Sequence, residues 1–305
     1  MGVDKIACAD RLKVFIAKSP ALADLARVAD SAAQGSSCVL ITGESGVGKR
    51  LFAERFHARS PRREKAFVRV NCAVLGGLLS EKDLAERFEK ASDGTIFFDE
   101  VGGLAPALQE ALLKLVQEKK YGARIVCSSS LDLERMAGDG KFLGSLFQRL
   151  NALSLRIPPL RERRDDIKPL ADCFLKKFSD KTKKNFTGFS SEAEEAMQNY
   201  GWPGNVRELK NAVERACLFE TPPVAGARGL GIASCAEDSD KGLAMQGAFA
   251  VQSGKTLKEA TTEFKKYYVE RALQTTGAKQ ADVAASLGIQ RTYLSRLLVE
   301  LGIRQ

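Results

Sequence analysis

The sequence predicts an α/β domain, a parallel sheet covered by helices, followed by a smaller all-α subdomain and a second all-α domain at the C-terminus. Three observations point there. Apolar β-rich runs alternate with amphipathic stretches from Ile6 to about Leu160. After Pro158-Pro159 the periodicity from Ile167 to Phe219 is helical throughout, and beyond Pro222-Pro223 a Gly-, Ala- and Ser-rich stretch precedes a last helical segment. The boundaries drawn from these shifts are 6–165 for the α/β domain, 166–220 for the helical subdomain, 221–253 for a flexible linker and 254–305 for the C-terminal domain.

Taken in order, the strands are Cys38 to Thr42, Ala66 to Val70, Thr95 to Phe98 and Arg124 to Cys127, with Leu108 to Gln117 as an amphipathic helix among them. Turns at Thr187-Gly188 and Gly201 to Gly204 divide the helical subdomain.

A hydrophobic fraction of 44% over 305 residues is ample for a packed core. No run approaches the roughly 20 apolar residues of a membrane span, and MGVDKIACADRLKVF lacks the basic-then-apolar order of a leader, so a cytoplasmic protein with no membrane partner is expected. The seven cysteines are odd in number, scattered and free of C-x-x-C pairs. They read as small buried hydrophobes rather than as a disulfide framework or zinc site. The formal charge of +9 tilts towards an anionic partner. His57, the sole histidine, is expected on a helix surface.

VLITGESGVGKR ends a β-branched run in a glycine-rich turn followed at once by lysine. Gly43, Gly46 and Gly48 permit backbone angles that aim successive N–H groups at a phosphate, and Lys49 adds a mobile positive charge. The cradle then comprises Gly43, Glu44, Ser45, Gly46, Val47, Gly48, Lys49 and Arg50, where Arg50 stands in place of the hydroxyl that usually touches magnesium. A nucleoside triphosphate with Mg2+ is the ligand expected. About fifty residues on, Thr95-Ile96-Phe97-Phe98-Asp99-Glu100 puts two acids at a strand end facing the same crevice. Asp99 is the candidate metal ligand and Glu100 the residue that polarises the attacking water. Charge on the γ-phosphate calls for an arginine from a neighbouring subunit, and Arg149 is the candidate.

These strings, with AFVRVNCAVL, FQRLNALSLRIPPLRERRDDI and GWPGNVRELKNAVERA, resemble the AAA+ domain of bacterial enhancer-binding proteins, the ATP-driven activators of sigma-54 RNA polymerase. The resemblance implies a P-loop AAA+ fold with an α-helical lid, a self-associating dimer or higher ring, and contact with RNA polymerase. By matching positions it implies that Asn71 restrains the catalytic glutamate, that Arg207 in GNVREL reaches the γ-phosphate from the lid, and that Ser129 and Ser130 form a polar sensor pair.

Three departures follow from the same comparison. The G-A-F-T-G-A loop that grips sigma-54 is missing between Asn71 and Asp99, the segment from Gln117 to Arg124 is too short for the family's second insertion, and Leu143 replaces an interface arginine. The expectation is a nucleotide-binding regulator unable to remodel sigma-54 polymerase. The alternatives are a genuine ATP-driven activator and a regulator that holds nucleotide without hydrolysing it.

Lys279 to Gly302 has the spacing of two short helices across a tight turn, with Ala284 at the crossing, Gly288 in the turn and Ile289, Leu294 and Leu297 inward. It is similar to the family's Fis-type helix-turn-helix. Gln290, Arg291, Thr292, Tyr293, Ser295 and Arg296 are left to read base edges of double-stranded DNA. Leu257 to Leu273 offers a dimerising helix, which favours a palindromic operator, and Lys255, Lys258, Lys265, Lys266 and Lys279 serve as phosphate contacts.

Overall fold

The computed structural model describes residues 3–6, 13–75, 80–118, 121–232 and 289–301, together with Val269 and Ala284. The chain divides into two units, Met1–Ala233 and Ser234–Gln305.

In the first unit, β1 (Val3–Ile6) and β2 (Lys13–Ile16) form an antiparallel pair ahead of helix α1 (Pro20–Ala33). The main sheet holds β3 (Val39–Thr42), β4 (Phe67–Asn71), β5 (Thr95–Asp99), β6 (Arg124–Ser129) and β7 (Ser154–Arg156). All are parallel, in the order β4-β5-β6-β3-β7. Between them run α2 (Lys49–Ala58), α3 (Cys72–Leu75), α4 (Glu81–Lys90), α5 (Pro106–Glu118), α6 (Leu133–Gly138) and α7 (Gly144–Leu150). β7 was not foreseen, because Ser154-Leu155-Arg156 is short and largely polar.

Both faces of the sheet are covered, which is why its central strands read as unbroken apolar runs. Ile96 and Phe98 face a core with Leu40, Val70, Leu108 and Leu112, while Phe97 turns to the other side with Val39, Ile41, Phe52 and Phe56. Burying each of these phenylalanines is worth about 2 to 3 kcal/mol. The register pairs Asn71 with Asp99 and Thr42 with Ser129, so the C-terminal strand ends meet at one edge.

Arg124, 1% exposed, closes the C-terminal end of α1. Its guanidinium donates to the carbonyls of Ala33 (2.7 Å), Ala32 (2.8 Å) and Ser37 (3.3 Å) and lies over the Phe56 ring. The Ala32 carbonyl also accepts the Gly35 N–H, and because α1 has no basic residue of its own in its last turn, Arg124 supplies the positive charge there. Burial lowers the Arg124 pKa to about 10.

The lid is built from α8 (Ile167–Thr182), α9 (Ser191–Asn199), α10 (Asn205–Phe219) and α11 (Ala227–Leu230) around Trp202, whose indole N–H donates to the Met197 carbonyl at 2.9 Å. Its extent corrects the expected boundary at 220. Strand β9 (Val224–Ala225) pairs with β8 (Gly188–Phe189), and Ala225, Leu230 and Ile232 are buried in the lid core, so residues 221–232 are part of the fold rather than linker. The rest of that linker, 233–253, lies outside the described residues, as do the proposed dimerising helix up to Tyr268 and Lys255, Lys258, Lys265, Lys266 and Lys279.

In the second unit, helix Arg291–Glu300 buries Leu294 and Leu298 with Val269, Ala284 and Leu301, and Ile289 packs against them. The side chains of Leu297 and Arg291 are outside the described set.

Cys72, Cys127 and Cys217 are buried, and Cys38 and Cys173 half-buried, without disulfides. Among the described residues no helix is long and apolar enough to cross a membrane.

His57 departs from expectation. It is 6% exposed, its Nδ1 lies 2.9 Å from the Thr95 hydroxyl, and its ring packs on Phe67, because α2 sits against the sheet along a broad face. Burial depresses its pKa, more than the backbone at Lys65 and Arg63 raises it. Below the ordinary imidazole value of 6.5 the unfolded chain takes up a proton that the folded chain refuses, so stability falls as pH drops through that range. Unfolding midpoints compared at about pH 7.5 and about pH 5.5 should show this loss, and His57→Gln should flatten it. Equal pH slopes for the two proteins would contradict the assignment.

Candidate functional site

β3 ends at Thr42, and the chain turns through Gly43 to Gly48 before α2 begins at Lys49. Gly46 and Gly48 hold φ of 83° and 106°, a left-handed region costly for any residue with a Cβ. At Gly48 the constraint is conformational alone, since a Cβ would meet open space. At Gly46 a Cβ would also lie 2.2 Å from the carbonyl oxygen of Gly204, so the missing side chain lets the lid touch the loop.

Lys49 is buried at 5% exposure. Its Nζ donates to the carbonyls of Gly43 (2.8 Å) and Glu44 (3.1 Å) and pairs with Glu100 Oε1 at 3.0 Å. The loop and the end of β5 therefore meet at one amine.

The two acids are held differently. Asp99 Oδ1 accepts from the Ser128 hydroxyl at 2.8 Å, and Oδ2 accepts from Arg69 Nη2 (2.6 Å) and Nε (3.1 Å). Glu100 sits at φ 57° and its N–H donates to the Ser128 hydroxyl. Its Oε2 accepts both the N–H and the hydroxyl of Ser130, each at 2.7 Å. Alternation along the strand end thus sends Ser128 and Ser130 to the acids. Ser129, expected to act with Ser130, turns back to the Leu131 backbone instead.

The lid reaches the loop through α10. Asn205, fully buried at φ 53°, accepts from the Leu160 N–H at 2.8 Å and donates to Glu44 Oε2 (3.0 Å) and the Ser45 carbonyl (3.1 Å). Arg161 grips the same Glu44 carboxylate with both terminal nitrogens, at 2.9 and 2.6 Å. Hydrogen bonds from Arg161 first, then from Asn205, hold the Glu44 pKa down to about 2, so the carboxylate stays charged at any physiological pH. Arg207 donates from its guanidinium to the Ser45 hydroxyl (3.1 Å) and from its backbone to the Gly46 carbonyl (3.3 Å).

Beside Gly48 opens an apolar cleft walled by Phe15, Ile16, Leu51, Ile157 and Val206. Arg163 borders it with 3% of its side chain exposed. One terminal nitrogen donates to the Val47 carbonyl at 2.7 Å, while Nε is a buried donor with no partner.

The remaining candidates lie apart from this cluster of bonds. Asn71 is half-buried beside Asp99 in the strand register, but the Glu100 carboxylate is held by Lys49 and Ser130. Arg50 points along α2 to Glu54 at 2.9 Å. Arg149 is exposed in the last turn of α7. In the second unit Gln290, Thr292, Tyr293, Ser295 and Arg296 are exposed. Among the described residues no group of three or more His, Cys, Asp or Glu side chains is placed to hold a metal ion.

Sequence reasoning missed Arg69, Ser128, Arg161, Arg163 and Asn205. Arg69 had a signal: Phe67, Arg69 and Asn71 alternate on one face of β4, and in-register pairing puts that face beside Phe97 and Asp99. The others depend on contacts across the fold, such as the 161 residues separating Glu44 from Asn205.

Residues 16–160 match the model of the sigma-54 interaction domain, and residues 161–239 that of the AAA+ ATPase lid domain. The transcriptional regulatory protein ZraR of Escherichia coli (strain K12) is 33% identical over 310 residues, covering 93% of this chain and 68% of that protein. The Nif-specific regulatory protein of Azospirillum brasilense is 40% identical over 227 residues, covering 66% of this chain and 36% of its own. The crystal structure of NtrX from Brucella abortus in complex with ADP superposes with a TM-score of 0.68 at 28% identity, covering 96% of this chain and 70% of that one.

The Asn205 contacts carry a stability consequence. Asn205→Ala strands the buried Leu160 N–H and leaves an alanine at positive φ, which together should cost about 3 kcal/mol in urea unfolding. A loss below about 1 kcal/mol would show that the lid does not depend on this residue.

Proposed function

Because the chain belongs to the bacterial enhancer-binding protein family, we propose that it is an ATP-binding transcriptional regulator that reads duplex DNA and does not remodel sigma-54 polymerase. The observation that carries the nucleotide half is Lys49, held at 3.0 Å from Glu100 at the mouth of a glycine loop and under the lid. NtrX, a relative of the same architecture, has been crystallised with ADP and with ATP. On this reading the loop N–H groups and Lys49 take the β- and γ-phosphates, Arg207 approaches from the lid, and the base enters the cleft that Arg163 borders. Glu100 turns a water towards the γ-phosphate once it leaves Ser130, and Asn71, in register with Asp99, takes the part of holding it in another state. Arg149, exposed on α7, is free to reach a neighbouring protomer's nucleotide in a dimer or ring.

Mg2+ is the usual companion of the triphosphate, and would supply charge neutralisation there. The residues do not fit it well. Position 50 offers a guanidinium in place of a hydroxyl, and both Asp99 oxygens are engaged by Ser128 and Arg69.

The exposed Thr292, Tyr293, Ser295 and Arg296 on a helix whose opposite face is buried, with exposed Gln290 just ahead of it, support major-groove reading. Paired helices about 34 Å apart would select a palindromic operator. The family carries contact with sigma-54 polymerase, yet the sequence lacks the G-A-F-T-G-A loop, and that absence favours regulation by occupancy over promoter opening.

Two experiments test this function. Calorimetric titration should show ATP binding that Lys49→Ala abolishes, and Glu100→Gln should retain binding while lowering phosphate release by about 100-fold. Equal release from both forms would leave a nucleotide-binding regulator without hydrolysis. Footprinting on a template carrying a selected operator and a sigma-54 promoter should show protection that Arg296→Ala weakens by about tenfold, with no promoter opening on adding ATP. An open complex would make the chain an ATP-driven activator.

A further inference from the structure

Arg69 is a cation held on Asp99, the acid that the sequence offers to a divalent ion. Its Nε and Nη2 both donate to Asp99 Oδ2, at 3.1 and 2.6 Å, and the pair is mostly withdrawn from solvent. The other carboxylate oxygen is taken by the Ser128 hydroxyl at 2.8 Å. The second usual oxygen donor, the side chain after the loop lysine, is here Arg50, which is drawn away to Glu54. An incoming metal would have to break two charge-assisted bonds at Asp99 and would find no hydroxyl opposite.

We propose that Arg69 takes over, in charge and in place, the part of the divalent cation, so that this chain binds ATP without requiring a metal. The inference rests on the nucleotide reading above. A guanidinium presents planar N–H donors that match phosphate oxygens and keeps its charge at every relevant pH. Arg69 lies on the edge strand β4, two residues before Asn71, the register partner of Asp99, and reaches the Asp99 carboxylate through its side chain. With Lys49 from the loop and Arg207 from the lid it makes a third cation for the triphosphate. Asp99 then works as the positioning residue of Arg69.

Calorimetry with ATP, on the full chain, separates the possibilities. For the unaltered protein the dissociation constant should differ by less than roughly threefold between excess Mg2+ and EDTA. In Arg69→Ala, binding in EDTA should weaken by at least about tenfold, and Mg2+ should restore it because Asp99 is freed. Arg69→Gln, which keeps a donor without the charge, should behave like Arg69→Ala, and unfolding midpoints of both variants guard against a folding defect. Loss of binding in EDTA by the unaltered protein overturns the inference, as does a variant whose metal dependence is unchanged. Absence of binding by the unaltered protein in both conditions overturns the nucleotide reading itself.

Discussion

Lys49 draws its partners from two segments that the chain separates by about fifty residues: the carbonyls of Gly43 and Glu44, and the carboxylate of Glu100. A buried ammonium is tolerable only with such compensation, so the amine fixes the glycine loop against the end of β5. What surrounds it follows. Gly46 and Gly48 must lack side chains for the loop to curl around that amine, and Ser130 and Lys49 together hold Glu100 at its positive φ.

A second layer of ionic contacts joins loop to lid. Glu44 receives Arg161 and Asn205, while Ser45 receives Arg207, so three lid-side residues report on two loop residues. Glu44 stays ionised at physiological pH, so titration does not release these partners in that range.

Much of this was legible because it is local. The alternating strands, the glycine loop and the acidic pair at the end of β5 each lie within a dozen residues, where side-chain period and turn chemistry decide the outcome. Ser154-Leu155-Arg156 escaped notice since pairing with β3, not its own composition, makes it a strand. The lid's end was set too early because Pro222-Pro223 reads as a break, whereas Ala225, Leu230 and Ile232 return to the core. His57 is buried because α2 packs along a broad face, which the residue's polarity does not announce. Arg69 and Ser128 needed the register of β4, β5 and β6, which no single segment encodes.

Amide hydrogen exchange with and without ATP bears most directly on the account that one buried amine organises loop, acids and lid around a nucleotide. Exchange should slow together across Gly43 to Lys49, Ser128 to Ser130 and the start of α10 on adding ATP, and Lys49→Ala should remove the slowing from all three. Protection confined to one segment, or none at all, would contradict it.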